Sequence, residues 1–363
     1  MPIPLRPTLK TFLTPGPRMA DEAACIASVL LAVALAHAAG ARMVGWAAFS
    51  AFVLIKGDVA ETILRGALRM IGTALGGALA LIVVPYAAPS LPLAMLAAGV
   101  VGAIGLYGML TAKRAYAWFL FGLTFCMVLY DRIAHPWLDT KGFVHTRVIE
   151  VTAGTIACVL VSVTLRLILR RDWRPPSPPP GELHWNRNAA RHAAQTGITL
   201  ALLPLLNAIY PVPALTGAAV TVMAVMVVPV AGLGGGGLVP VSRRLWHRAI
   251  GGVAGGAMAL VVLLLAQGNP AVLIAGTVLG IAIGRHIENG GAAHAYIGLQ
   301  FTLAILVILV PDSYARADIG PGLDRLIGIV VGMALLEPVL LAWHWLLPAR
   351  GTSGPAMPDR GDE

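Results

Sequence analysis

The stretch RMIGTALGGALALIV at residues 69–83 recurs as RAIGGVAGGAMALVV at residues 248–262, and nine of the fifteen aligned positions are identical. Two further matches follow in the same order near the same spacing: Ala115-Tyr116 with Ala295-Tyr296, and Arg147-Val-Ile with Arg325-Leu-Ile. Ordered matches at one spacing indicate an internal duplication. The sequence therefore predicts two homologous halves.

Composition places both halves in a membrane. Apolar residues make up 58% of the chain, charged residues 12%, and the mean hydropathy is +0.80. Soluble domains carry about 25% charged residues, so the lipid bilayer is the expected surrounding. The net charge of +9 does not indicate a nucleic-acid partner, because the basic residues flank apolar segments instead of lining one soluble face. The three cysteines lack metal-ligand spacing, so we expect neither a metal nor a cofactor.

Apolar runs near the roughly 20 residues that cross a bilayer predict six spans in each half. The run Ala23–Ile55 is broken by polar residues and is split into two short helices, and Val212–Leu233 is taken as one span. We predict an all-α polytopic membrane protein with about twelve transmembrane helices in two homologous six-helix repeats of parallel orientation. The predicted divisions are a first repeat at 1–169, a Pro-rich cytoplasmic linker at 170–187, a second repeat at 188–348 and a disordered C-terminal tail at 349–363.

Basic residues indicate the orientation. With the N-terminus in the cytoplasm, 20 of the 26 Lys and Arg residues fall on the cytoplasmic side of this topology and 6 on the other. Asp21 and Glu22 interrupt the pattern of a signal peptide, so the first apolar run is interpreted as an uncleaved span. Even span numbers keep both halves in the same orientation, related by an axis along the membrane normal.

Two motifs carry a family resemblance. Arg69–Gly76 reads Arg-x-x-Gly-Thr-x-x-Gly after a span that begins near Trp46, and an aromatic fifth span precedes Arg147-Val-Ile-Glu-Val-x-x-Gly. The chain thereby resembles the fusaric acid resistance, or aromatic acid exporter, family. The resemblance implies proton-driven efflux of aromatic or other organic acids across the bacterial inner membrane, with a periplasmic adaptor protein as partner. It extends distantly to plant malate channels, in which two six-span units surround a central anion pathway.

The chain departs from the family in one respect. Family exporters commonly carry a large cytoplasmic domain after each membrane half, whereas here a short Pro-rich segment joins the two halves.

Four arginines are candidates for an anion pathway, which needs fixed positive charge because carboxylates lose their hydration in lipid. Arg147 and Arg325 occupy matching positions at the outer ends of the sixth and twelfth predicted spans. The alternative for both is a structural ion pair, with Glu150 or Asp324. A second matched pair, Arg69 and Arg248, fits either the pathway or snorkelling anchors at the inner surface.

Two carboxylates are candidates for proton coupling. Glu337 lies deep in the last span, directly before Pro338, where burial favours its protonated form. The alternative is a protonated side chain that bonds a carbonyl freed by the proline. Glu150 follows Arg147 by one helical turn and is expected to pair with it.

The fifth span carries an aromatic stripe of Trp118, Phe121 and Phe125 on one helix face. It is interpreted either as a lining for an aromatic substrate or as ordinary helix packing.

No enzyme motif is complete. The segment Asp312–Arg316 is one residue too short, and lacks the glycine, for the start of the lipid head-group transferase signature. We therefore expect no catalytic function. Three hypotheses stay open: a proton-driven exporter, a passive anion channel of the same fold, and a non-transporting scaffold of an envelope complex. The sequence leaves open the substrate and whether the protein is a monomer or a homo-oligomer.

Overall fold

A computed structural model describes residues 17–55, 58–169, 185–212, 214–233, 237–291, 294–312 and 317–346. These residues form twelve α-helices and one short 3-10 turn, without a strand in the described ranges. Most of the predicted linker and the whole predicted C-terminal tail lie outside the described residues.

Six helices precede the linker and six follow it. The first six are α1 (Pro17–Ala38), α2 (Val44–Leu54), α3 (Val59–Ala87), α4 (Leu91–Thr111), α5 (Ala115–Ala134) and α6 (Thr140–Leu169). The second six are α7 (Arg187–Ile209), α8 (Leu215–Val225), α9 (Leu238–Ala266), α10 (Pro270–Asn289), α11 (Ala295–Leu309) and α12 (Gly320–Leu346).

Nine of these twelve helices are long and apolar enough to cross a membrane, which confirms a multi-pass membrane protein. The other three, α2, α8 and α11, are shorter. At 11 residues each, α2 and α8 are about 16 Å long, roughly half the thickness of the hydrocarbon core. The predicted span Val212–Leu233 was therefore too long. Its helix ends at Val225, and Pro229, which disfavours helical geometry in the residue before it, keeps the helix from continuing as far as Leu233.

Helix starts follow local signals in the sequence. The carboxylate of Asp58 accepts hydrogen bonds from the backbone N–H groups of Ala60 and Glu61 at the start of α3. Asn269 caps α10 in the same way, and Pro270 occupies the first helical position, where its missing N–H costs nothing.

Glycines bring the helix backbones into contact in both halves. A Cβ atom at Gly72 or Gly76 in α3 would collide with a carbonyl oxygen of α5. A Cβ atom at Gly251 or Gly255 in α9 would collide with a carbonyl oxygen of α11. The carbonyls belong to Ala117 and Phe121 in the first half and to Ile297 and Phe301 in the second. The closely packed pairs α3–α5 and α9–α11 therefore use matching positions of the repeat.

Two of the helix pairs that join the halves differ in chemistry. Helices α4 and α7 meet through small and apolar residues, with Gly99 against Gly197 and Leu200 over Gly102. Helices α1 and α10 meet through charges instead. Arg285 of α10 donates to both carboxylate oxygens of Asp21 in α1, at 2.7 and 3.1 Å.

Candidate functional site

The first-half arginine cluster consists of Arg65, Arg69 and Arg147. Arg69 is buried and donates from Nη1 to the hydroxyl of Tyr116 at 2.7 Å. The guanidinium of Arg65 lies over the same tyrosine ring, 4.9 Å from its centroid. Since α3 already begins at Val59, Arg69 lies about 15 Å along the helix and not at its N-terminal end. This burial disagrees with a snorkelling anchor.

The side chains of three other residues contact the guanidinium of Arg147. Its Nη1 lies 3.2 Å from Oε2 of the fully buried Glu150, one turn along α6. Its Nη2 contacts the sulfur of Met127 at 3.3 Å. The indole of Trp46 in α2 covers the guanidinium at 3.7 Å from the ring centroid, a cation–π contact. The expected pair between Arg147 and Glu150 is therefore present.

The second-half arginine cluster consists of Arg244, Arg248 and Arg325. Two guanidinium groups converge on one neutral acceptor: Arg248 and Arg325 donate to the same oxygen of Gln300, at 3.0 and 2.8 Å. Arg248 also donates from Nε to the hydroxyl of Thr221 at 3.2 Å. Like charges held this close repel more strongly in a low-dielectric surrounding than in water.

Arg244 repeats the geometry of its first-half counterpart. Its guanidinium lies 4.4 Å from the ring centroid of Tyr296, and its Nη1 donates to the carbonyl of Val227. Three buried donors of this cluster have no hydrogen-bond acceptor among the described residues: Nε of Arg244, Nε of Arg325 and the hydroxyl of Tyr296.

The two clusters differ in charge balance. Glu61 lies 3.9 Å from Arg65, and Glu150 neutralises Arg147, so two carboxylates accompany the three arginines of the first half. In the second half, no described carboxylate lies within ion-pair distance of the three arginines. Asp324, the predicted alternative partner of Arg325, is exposed and makes no ion pair with it.

The remaining candidates lie away from the clusters. Glu337 follows Arg325 by twelve residues in α12, about 18 Å further along the helix axis. Phe125 is fully buried in the apolar core. Trp118 packs over Gly108 and meets Phe121 edge-on at 6.0 Å between ring centroids, so this stripe packs helices together.

Residues 31–161 match a family model described as fusaric acid resistance protein-like. The match confirms the predicted resemblance and contains the whole first-half arginine cluster with Trp46, Tyr116 and Glu150. The second-half cluster lies outside the matched residues. No curated protein and no solved structure matches the chain at a significant level.

Several residues of the two clusters were not predicted from the sequence. Arg65 and Arg244 are separated by 179 residues, as are Arg69 and Arg248, so extending the repeat alignment by one turn finds them. Tyr116 and Tyr296 were visible as repeat matches, but nothing in the sequence pairs them with arginine. Nothing in the sequence pointed to Gln300, because the aligned residue in the first half is apolar.

A further polar group joins α10 to the start of α1 and was also missed. Arg285 lies 3.0 Å from Glu288 in addition to its bonds with Asp21, and His286 lies 2.9 Å from Glu22. Arg285 also donates to the carbonyl of Ile55, the residue after α2, at 3.4 Å. This group holds the first and second halves together beside the end of the short helix α2.

Proposed function

We propose that this protein is a membrane transporter that exports aromatic or related organic acids through a passage between its two halves. The observation that carries the proposal is the pair of arginine clusters in helices that are otherwise apolar. Burying a guanidinium in a membrane is costly, and buried charges at such depths mark ion and substrate pathways. An organic anion that leaves water loses its hydration and needs this fixed positive charge in exchange.

We also propose that the halves are two homologous repeats in parallel orientation, with both termini in the cytoplasm and the protein in the bacterial inner membrane. The matched glycine contacts support the repeats, because α3 packs on α5 as α9 packs on α11. The contacts between halves support a two-fold relation, since α4 meets α7 as α10 meets α1. The distribution of Lys and Arg supports the orientation.

Transport has two candidate modes. In the first, protons drive export and Glu337 carries the proton. In the second, the protein is a passive organic-anion channel. The channel is favoured by the placement of the carboxylates: Glu150 is held by Arg147, and Glu337 lies about 18 Å along α12 from Arg325. Neither carboxylate is placed to exchange a proton beside the second-half cluster.

The test is flux of radiolabelled benzoate in proteoliposomes, with and without a proton gradient. Transport predicts protein-dependent benzoate flux that Arg325→Ala reduces by about tenfold or more, because a buried charged hydrogen bond to the anion is lost. A proton-driven exporter should accumulate benzoate against its concentration gradient. Glu337→Gln should abolish this accumulation, and the control Asp324→Asn on the same helix should leave it intact. Downhill flux without proton dependence identifies the channel. Folded protein without any flux of an aromatic acid panel contradicts transport and favours the scaffold.

A further inference from the structure

We propose that the two halves separate where α1 meets α10 during transport and stay in contact where α4 meets α7. The inference rests on the passage between the halves proposed above. It goes further in naming the contact that opens, which is the gate, and the charged group that keeps the gate closed: Asp21 and Glu22 of α1 with Arg285 and His286 of α10.

The two contacts use matching positions of α4 and α10. The motif Ala103-Ile104-Gly105 of α4 recurs as Ala282-Ile283-Gly284 in α10, 179 residues later. The glycine of each motif packs on the backbone of the helix that follows it, α5 or α11, which supports this alignment. The next two positions differ: they are Leu106 and Tyr107 in α4, and Arg285 and His286 in α10. The fold therefore does not require charges at these positions.

The contact between α4 and α7 is closely packed. A Cβ atom at Gly197 would lie 2.6 Å from the carbonyl oxygen of Gly99. Leu200 covers Gly102, and its carbonyl accepts from the buried hydroxyl of Tyr130 in α5 at 2.7 Å. Separation here would remove the close packing and this acceptor together, so we expect the contact to stay closed.

The contact between α1 and α10 is held by charged groups near helix ends. Arg285 donates to both carboxylate oxygens of Asp21, at 2.7 and 3.1 Å. His286 lies 2.9 Å from Glu22. Asp21 is only four residues, about 6 Å, from the start of α1. The side chains of Asp21 and Glu288 are already 20% and 18% exposed, so water can replace these bonds when the helices part.

The opposite end of this side of the molecule is also joined through a polar group. The carboxylate of Asp312, after α11, accepts from the backbone N–H of Val44 at the start of α2, at 2.8 Å. Since α1 has 22 residues and is about 33 Å long, Val44 lies near the other end of α1 from Asp21. Polar bonds therefore close this side at both ends.

Two native cysteines lie beside the two contacts and report on them separately. Cys25 is fully buried one turn after Asp21 in α1, where it interacts electrostatically with Arg285. Cys126 is fully buried in α5, and its sulfur lies 3.8 Å from the position of a Cβ atom at Gly102. Opening between α1 and α10 should expose Cys25 and leave Cys126 buried.

The first experiment labels the unmodified protein with N-ethylmaleimide in proteoliposomes during benzoate flux, and mass spectrometry reads each cysteine. We expect Cys25 to react at least about tenfold faster than Cys126. Equal labelling of the two cysteines, or benzoate flux with Cys25 unlabelled, would overturn the gate. Folded protein without flux would contradict the proposed function instead, and the variants below then test the gate by labelling alone.

Arg285→Leu tests the charged group, because it leaves Asp21 near Glu288 without a counter-charge. It should speed the labelling of Cys25 by about tenfold. The control Tyr107→Phe, at the position of α4 that aligns with His286, removes only the hydroxyl that accepts from a backbone N–H at 3.4 Å. This control should leave both labelling rates unchanged. An unchanged rate at Cys25 in Arg285→Leu would show that the charged group does not hold the gate closed.

The second experiment fixes each contact with a bifunctional methanethiosulfonate and measures benzoate flux, in protein that carries Cys25→Ala. Glu22→Cys/His286→Cys bridges α1 and α10 at side chains that lie 2.9 Å apart. Tyr107→Cys/Trp185→Cys bridges α4 to the start of the second half, where the two rings lie 5.6 Å apart. The first cross-link should reduce flux by about tenfold or more, with recovery on reduction, and the second by less than about twofold. Equal losses, or the reverse order, would overturn the gate and leave transport standing.

Discussion

The two arginine clusters share the same arrangement of arginines and tyrosine but differ in the groups that pair with the arginines. In both halves an arginine of the long third helix lies one turn after a second arginine that covers a tyrosine ring. In the first half Glu150 neutralises Arg147, while in the second half Arg248 and Arg325 share the neutral Gln300. The duplicated positions therefore share the positive charge and not its partner. The first-half cluster holds its own counter-charges and the second-half cluster does not, although both contain buried arginine Nε groups without an acceptor among the described residues.

The largest expected difference between the halves is in stability. Arg147→Ala should lower the free energy of unfolding by about 3–5 kcal/mol, because it leaves the fully buried Glu150 without its counter-charge. Arg325→Ala should cost about 1 kcal/mol or less, because it leaves no carboxylate unpaired and relieves repulsion with Arg248. Denaturant unfolding followed by circular dichroism in detergent measures both.

The double variant Arg147→Ala/Glu150→Ala is the control for this explanation. It should recover a large part of the loss, since neither charge then remains buried alone. Equal losses in the free energy of unfolding for Arg147→Ala and Arg325→Ala would contradict the difference in charge balance between the clusters.

A smaller difference is expected at two matched glycines. In α3 a Cβ atom at Gly77 would lie 2.7 Å from Cγ1 of Val144, whereas in α9 a Cβ atom at Gly256 meets nothing within 4 Å. Gly77→Ala should therefore destabilise the protein by about 1–3 kcal/mol through overpacking. Gly256→Ala should stabilise it by roughly 0.5–1 kcal/mol, because alanine loses less backbone freedom in a helix. Thermal unfolding of the two variants side by side measures the signs, and a loss at Gly256 would contradict the open space there.

The smallest expected effect concerns the two short helices. The carboxylate of Asp312, from the loop after α11, accepts from the backbone N–H of Val44 at 2.8 Å and caps α2. No side-chain cap is present at Ala214, the residue before α8. Asp312→Ala should cost about 1 kcal/mol, and Asp312→Asn less, because asparagine keeps an acceptor oxygen. Thermal unfolding measures both variants. Identical stability of Asp312→Ala and the unmodified protein would contradict a stabilising cap at the start of α2.

Much of the architecture followed from the sequence alone. Hydropathy predicted a multi-pass helical membrane protein, and the motifs predicted the family that residues 31–161 match. The pair of Arg147 and Glu150 was also predictable, because residues three apart on a helix face each other whatever the tertiary structure. These properties depend on composition and on neighbours in sequence, which a single chain displays directly.

Only the tertiary structure decided which partners the long side chains take. Gln300 lies 25 residues from Arg325 and 52 from Arg248, and no spacing rule connects them. Trp46 reaches Arg147 only because α2 packs against α6. An arginine side chain spans several ångströms and has many rotamers, so its environment is decided by the packing of the helices around it.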